Sequence, residues 1–256
     1  MTLKFIQANI FMGKYLDSLI DFIKDEDPDI VTMQEVTACD FNLYEDKSAH
    51  IFDVIGEKTG LEGVFDPVME LAGKPDAEFG NAVFSKYEVT KHKVLVLKEF
   101  RPVTWEELEA TEGRPGINPQ VEKHAVDAIV DVGGTKIHVV SWHGAWVSHA
   151  EDSPESIRQA QIVADYLETL EDPFIVAGDL NVGPQTETIG LINKVANNLM
   201  MNSGVRQTTH PTVHKIAPRG YLIDYIFTSS HFKVKSLKVP EIIVSDHLPV
   251  VAELQI

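Results

Sequence analysis

The chain has 256 residues, 44% hydrophobic and 24% charged, an ordinary globular balance. Its 39 acidic residues against 22 basic ones leave a formal net charge of −17, which counts against tight binding of long nucleic acid, because phosphate backbones are met by basic faces. Cys39 is the only cysteine, so no internal disulfide forms, and a domain of this size, burying roughly three quarters of its unfolded surface, needs none.

The N-terminus shows no basic flank followed by an apolar run, and no apolar stretch approaches the roughly 18 residues of a membrane span. A cytoplasmic, monomeric protein without a membrane span is expected. Residues 3–10 read as a first strand, and 14–25 as an amphipathic helix with Leu16, Leu19, Ile20 and Ile23 at helical spacing. Pro28 and Asp29 lead into a buried strand over 30–35. Further strands are expected at 79–84, 94–97, 125–132 and 136–142, with Gly133-Gly134 marking a hairpin between the last two. The stretch 101–120 holds Glu106, Glu107, Glu109 and Glu112, then Gly113, Pro115, Gly116 and Pro119. It reads as a short acidic helix followed by a loop, either at a site mouth or on the plain surface.

Ser153 and Pro154 open a helix over 153–170; 174–177 is a short buried strand and 186–195 a helix. Strands at 222–227, 232–237 and 249–254 close the chain. The basic groups Lys91, Lys93, Lys98 and Arg101, and then Lys233, Lys235 and Lys238, read as solvated strand or loop edges. Hairpins outnumber helices, which points to stacked sheets with helices on their outer faces rather than a doubly wound parallel sheet. Nothing resembling a repeat or linker divides the chain, so 1–256 is read as a single domain.

The informative residues sit where apolar strands stop. Asn9 closes the first strand, Glu35 ends Ile30-Val31-Thr32-Met33-Gln34, and His143 follows Trp142. Asp179 follows Phe174-Ile175-Val176-Ala177-Gly178, with Asn181 two residues on. Asp224 lies within Leu222-Ile223-Asp224-Tyr225, and Asp246-His247 precedes the last strand. A carboxylate buried beside apolar strands costs several kcal/mol unless paired or metal-bound, so this set suggests a convergent polar site. Hard oxygen donors without a cysteine cluster favour magnesium or manganese over zinc. Histidine with an aspartate partner suits phosphoryl contact or proton transfer. No serine sits in a nucleophile elbow, so acyl transfer is disfavoured.

These residues resemble the endonuclease/exonuclease/phosphatase superfamily. The resemblance runs in order through Gln7-Ala8-Asn9, Met33-Gln34-Glu35-Val36, Phe79-Gly80-Asn81, Ser141-Trp142-His143, Gly178-Asp179-Leu180-Asn181, Ile223-Asp224-Tyr225 and Ser245-Asp246-His247. It implies an α+β, four-layer αββα sandwich with the site at one end of two mixed sheets. It further implies Glu35 as principal metal ligand, with Asn9 and Asp246 in the first or second metal shell. Asp179 would position or deprotonate water, Asn181 would hold the phosphate, and His247 would contact it with Asp224 orienting the ring. His143 would be a second phosphate contact or the general acid, and Asn81 a supporting residue that Glu78 neighbours as a candidate to orient His143. Histidine rather than tyrosine at 143 disfavours abasic-site repair. Trp146 is read either as packing or as a stacking surface for a substrate ring.

His124, His149, His210 and His214 are read as surface or locally hydrogen-bonded, with 208–212 a candidate site-lining run; Arg158 and Gln161 are read as structural. The expected activity is Mg2+- or Mn2+-dependent hydrolysis of a phosphodiester in DNA, RNA or a nucleotide by in-line attack of water. A phosphatase or phosphodiesterase for a small sugar, inositol or lipid phosphate is the rival, and an inactive binding module the remote one.

Overall fold

A computed structural model describes residues 1–109, 121–146, 148–215 and 220–256. Twelve strands and five α-helices follow one another as β1 (Thr2–Asn9), α1 (Leu16–Glu26), β2 (Ile30–Thr37), α2 (Ile51–Thr59), β3 (Glu62–Leu71), β4 (Lys74–Ser85), β5 (Val89–Lys98), α3 (Trp105–Glu109), β6 (Lys123–Val132), β7 (Thr135–Trp142), α4 (Pro154–Glu168), β8 (Phe174–Asp179), α5 (Glu187–Asn193), β9 (Asn197–Asn198), β10 (Asp224–Thr228), β11 (Lys233–Lys238) and β12 (Val250–Gln255) among the described residues. They form two six-stranded sheets, ordered β11-β12-β1-β2-β4-β3 and β5-β6-β7-β8-β10-β9. Each sheet holds one parallel pair, β1 with β2 and β7 with β8. The remaining neighbours are antiparallel.

Period-two alternation explains the layering. Leu3 and Phe5 of β1 and Ile30 of β2 pack with the second sheet's Val140, Val176 and Ile226. Their neighbours Ile6, Ala8, Val31 and Met33 face the other way, against Leu19, Ile20 and Ile23 of α1 and Ile51 and Ile55 of α2. On the far side Ala160, Val163 and Leu167 of α4 cover the second sheet. The result is the αββα sandwich. Helix α4 starts where its sequence says: Ser153 accepts from the Ser156 N–H, Ser156 returns a bond to the Ser153 N–H, and Pro154 takes the first turn. Helix α1 stops at Asp27, whose left-handed backbone (φ 47) ends the α-turns.

The structure adds elements that the sequence pattern does not announce. Strand β3 contains Pro67, which argues against a strand, yet it is an edge strand whose register shifts between Pro67 and Met69. Helix α2 buries little beyond Ile51 and Ile55, so its apolar face is short. Strands β4 and β5 are longer than the expected 79–84 and 94–97. Helix α3 is the expected acidic helix, while 110–120, the expected loop, lies outside the described residues. No helix among the described residues is long and apolar enough to cross a membrane.

Within the second sheet, Gly178 of β8 lies close against the backbone of its neighbour β7. A Cβ at Gly178 would lie 1.7 Å from the Trp142 carbonyl oxygen. The strand end that carries Asp179 therefore requires glycine before it. Gly178→Ala is expected to destabilise the fold by at least about 3 kcal/mol, at the upper end of overpacking costs, read as a lowered midpoint in urea unfolding.

Candidate active site

The interior of the sandwich grades from apolar to polar toward one end. Beyond Leu3, Phe5 and Ile30, the inward positions become Gln7, Thr32, Gln34 and Ser141, all buried. Their polar atoms satisfy one another: Thr32 Oγ1 donates to Gln7 Oε1 at 2.7 Å, and Gln34 Nε2 donates to Ser141 Oγ at 3.0 Å. This ladder leads to the strand ends, where the charged groups sit.

Glu35 reaches the site through a local break in alternation. By period two it would point, like Val31 and Met33, toward the helices. The pairing of β2 with β4 shifts between Gln34 and Val36, and Glu35 takes a left-handed backbone (φ 59). This bulge returns Val36 to the helix-facing core and turns the extra residue, Glu35, to the cavity. Asn181 is also left-handed (φ 58) just past β8. Such backbone strain clusters where geometry serves a site.

Asp179 is the hub. Its Oδ2 accepts from Asn9 Nδ2 at 3.1 Å and lies 3.7 Å from both His143 Nε2 and His247 Nε2. Its Oδ1 accepts from the Asn181 N–H at 2.9 Å. Asn9 Nδ2 also reaches Glu35 Oε1 at 3.1 Å, while its Oδ1 is taken by the Phe11 N–H. Asn9 thus aligns two carboxylates from behind. Asp224, paired with Asp179 across β10 and β8, holds His247 Nδ1 at 2.8 Å. Thr208 fixes that turn by accepting from the Ile223 and Asp224 N–H groups, both at 3.0 Å.

Electrostatics set the protonation states. Burial, then the Asp246 charge, pushes the Glu35 carboxyl up to about 7. Burial raises Asp179 to about 6, against the pull of His247. Burial opposes a charge on His247, but the Asp224 and Asp179 carboxylates outweigh it and hold the ring well above its ordinary value. His143 goes the other way: burial, then the Lys123 and His247 charges, push it well down. One imidazole is therefore cationic and one neutral in the same site.

Glu35, His143, Asp179, Asn181, Asp246 and His247 all face one cavity of about 400 Å3, and Trp146 stands at its wall. Asn9 and Asp224 lie just behind these residues, through the hydrogen bonds above. Asn81 does not line the cavity: it is buried and donates to the His124 carbonyl at 3.0 Å, tying β4 to β6 across the sheets. Glu78 does not orient His143. It pairs with His50 at 3.4 Å, and His143 Nδ1 has no hydrogen-bond partner among the described residues. His214, read as a peripheral histidine, instead stacks edge-on against His247 with centroids 5.5 Å apart and stands 4.0 Å from Asp246. Lys123 was missed altogether. It is 7% exposed, lines the cavity, and is lowered to about 8 by burial although Asp179 and Glu35 favour its charge. The available signal was the same as for the acids: a charge at the end of an apolar strand.

The donor set suits a divalent cation. Three carboxylates, Glu35, Asp179 and Asp246, share the cavity, and burial followed by the Asp246 charge raises Glu35. Donor atoms of His214, Asp246 and His247 also lie within 4.8 Å of one another, as do those of Asp179, Asp224 and His247. The second group is already committed to the Asp224–His247 hydrogen bond.

A two-sheet sandwich with acidic and imidazole groups at one end fits a phosphoester hydrolase, and the family match supports that class. The model of the Endonuclease/Exonuclease/phosphatase family matches residues 6–247, and the chain belongs to that family. None of the curated proteins matches the chain. Among solved structures, an endonuclease/exonuclease/phosphatase from Bacteroides vulgatus superposes with a TM-score of 0.74 at 22% identity, covering 100% of this chain and 99% of that one. A mannosyl-6-phosphatase from Bacteroides thetaiotaomicron gives 0.74 at 17% identity over 99% and 100% of the two chains. D. rerio TDP2 complexed with a single-strand DNA product gives 0.73 at 13% identity over 100% and 99%. These likenesses carry the fold.

Glu35 also makes a measurable link to stability. Its folded value, about 7, lies above the ordinary 4.5, so the folded chain binds the extra proton and stability from this group is lost as pH rises through that window. In metal-free protein, Glu35→Gln is expected to gain on wild type between pH 5 and pH 8, by up to roughly 3 kcal/mol. Urea midpoints across that range measure it.

Proposed function

We propose that the chain is a magnesium- or manganese-dependent hydrolase that cleaves a small phosphoester by in-line attack of water. The observation that carries the reading is the convergence on Asp179 of Asn9, His143 and His247 from three separate strand ends, beside Glu35 and Asp246 in one cavity. Glu35 would hold the cation with Asp246, aligned by Asn9, and the bound ion supplies charge neutralisation at the phosphoryl group. Asp179, raised to about 6, is suited to orient the attacking water and accept its proton. The cationic His247, kept charged by Asp224, would face the phosphoryl oxygens. Asn181 and Lys123 would grip the same oxygens, and neutral His143 would lie beside the leaving oxygen.

Small substrates are favoured because Lys123 is the one Lys or Arg among the described residues that line the cavity. A net charge of −17 adds repulsion against a polyanion. A nucleic-acid or nucleotide diester is the second reading, supported by Trp146 at the cavity wall, where a base could stack. Plasmid DNA, single-stranded DNA, RNA, bis-p-nitrophenyl phosphate and p-nitrophenyl phosphate, each with Mg2+, separate the two: cleavage of the polymers in preference to the small esters would reject the small-substrate reading.

Asp179→Asn and His247→Ala are each expected to lower kcat of the folded variant at least about 100-fold, the usual scale for losing an acid–base or electrostatic group. Excess chelator should abolish turnover and Mg2+ or Mn2+ restore it. Lys123→Gln should raise KM more than it lowers kcat, if its ammonium binds the phosphoryl group in ground and transition state alike.

A further inference from the structure

The catalytic groups share the cavity with a separate apolar cluster. That cluster is built from parts of the chain that contribute nothing to the polar groups. Phe41, from a short turn after β2, packs on Phe79 of β4 and Trp105 of α3, with centroids 5.8 and 5.4 Å away. Met69 of β3 and Leu108 of α3 complete this wall, and Val121 lies beside Lys123.

The wall is anchored rather than incidental. Val103, fully buried, donates to the Glu70 carbonyl at 3.1 Å and accepts from the Ala72 N–H at 2.7 Å, stitching the segment before α3 onto the edge of β3. Thr104 and Glu107 exchange hydrogen bonds at 3.0 and 3.2 Å, capping α3, and Arg101 clamps Glu107. The effect is to hold Trp105 and Leu108 over the cavity. Met69, Phe79 and Trp105 are only partly buried on the Phe41 cluster and line the cavity, and an anchored apolar surface inside a catalytic cleft favours an apolar partner when the cleft is filled.

Continuity with the polar cluster says what that partner is. The Phe79 ring lies 6.2 Å from the His143 ring, centroid to centroid. A phosphoryl group held by His143, Asn181 and Lys123 would place its ester substituent one ring away, along Phe79 toward Phe41 and Trp105. Leu43, 50% exposed and also lining the cavity, extends the apolar surface to the rim. We propose that the wall is a subsite for a hydrophobic group, aryl or alkyl, esterified to the phosphate that the enzyme cleaves. The assignment rests on the phosphoester-hydrolase reading for its chemistry, but binding at the wall is measurable without turnover.

The test uses methyl-, butyl-, hexyl- and octylphosphonate, with phenylphosphonate as the aromatic arm, titrated calorimetrically into the whole chain with Mg2+ and then used as inhibitors of bis-p-nitrophenyl phosphate hydrolysis. Each methylene that reaches the wall should tighten binding by about fourfold, so octylphosphonate is expected to bind at least about 100-fold more tightly than methylphosphonate. The binding heat should carry a negative heat-capacity change. A larger gain for phenyl than for hexyl assigns an aromatic group, and the reverse an aliphatic one. Trp105→Ala and, separately, Met69→Gln should each cut the octyl-to-methyl ratio several-fold. Affinities that stay within threefold along the wild-type series overturn the subsite. If no ester is hydrolysed, the catalytic reading fails instead, and the calorimetric series still decides the subsite.

Discussion

The structure depends on keeping several carboxylates dehydrated at the seam between two sheets. Asp179 and Asp224 sit buried where strand ends from both sheets meet, with the half-buried Glu35 beside them, and a buried carboxylate would cost several kcal/mol if left unpaired there. The fold meets this cost by degrees. Apolar Leu3, Phe5 and Ile30 give way to the neutral polar rungs Gln7, Thr32 and Gln34, and only then to charge. Gln7 shows the transition: its amide is bonded to Gln34 and lies 3.5 Å from Asp224 Oδ1. The acids are therefore solvated by side-chain amides, backbone N–H groups and one imidazolium in place of water, which preorganises them.

That arrangement follows from topology. Each sheet has a single parallel pair, β1–β2 and β7–β8, crossed over by α1 and α4. A parallel pair delivers two carboxyl-terminal ends to the same edge. One sheet thus supplies Asn9 and Glu35, and the other His143 and Asp179, from rigid strands. The antiparallel partners enter from the opposite direction and bring Asp224 at the start of β10 and His247 just before β12. Alternation alone would have aimed Glu35 the wrong way, and the bulge in β2 corrects it at the expense of a left-handed glutamate.

Much of this was legible in the chain because the site lies at the ends of apolar runs. Ile30–Gln34 is a strand by composition, and a glutamate that follows it must be at a strand end. Phe174–Gly178 reads the same way for Asp179. The rest was hidden for physical reasons. Lys123 begins a strand whose neighbours on both sides become clear only when the sheet is assembled. His214 owes its place to a bond between the His210 N–H and the Asp246 carbonyl, at 2.7 Å, that folds its loop over the site. Glu78 was a candidate to orient His143, but His50, from a segment with weak periodicity, takes its carboxylate. Strand β3 was obscured by Pro67, which an edge strand tolerates and a central one would not.

The division between what the sequence reveals and what it hides coincides with a division of labour. The groups that converge on Asp179 stand at or just beyond the ends of strands in the interior of the two sheets. The opposing wall comes from the turn carrying Phe41, the edge strand β3 and the short helix α3, which lie at the margin of one sheet. Changing a side chain there alters the shape and polarity of the cleft without touching the hydrogen bonds that converge on Asp179. A fold built this way can keep one hydrolytic chemistry while its substrate is set by a few marginal residues. In this chain those residues are aromatic and aliphatic and line the same cavity as the polar cluster, which is why the proposed substrate is an ester charged at one end and apolar at the other.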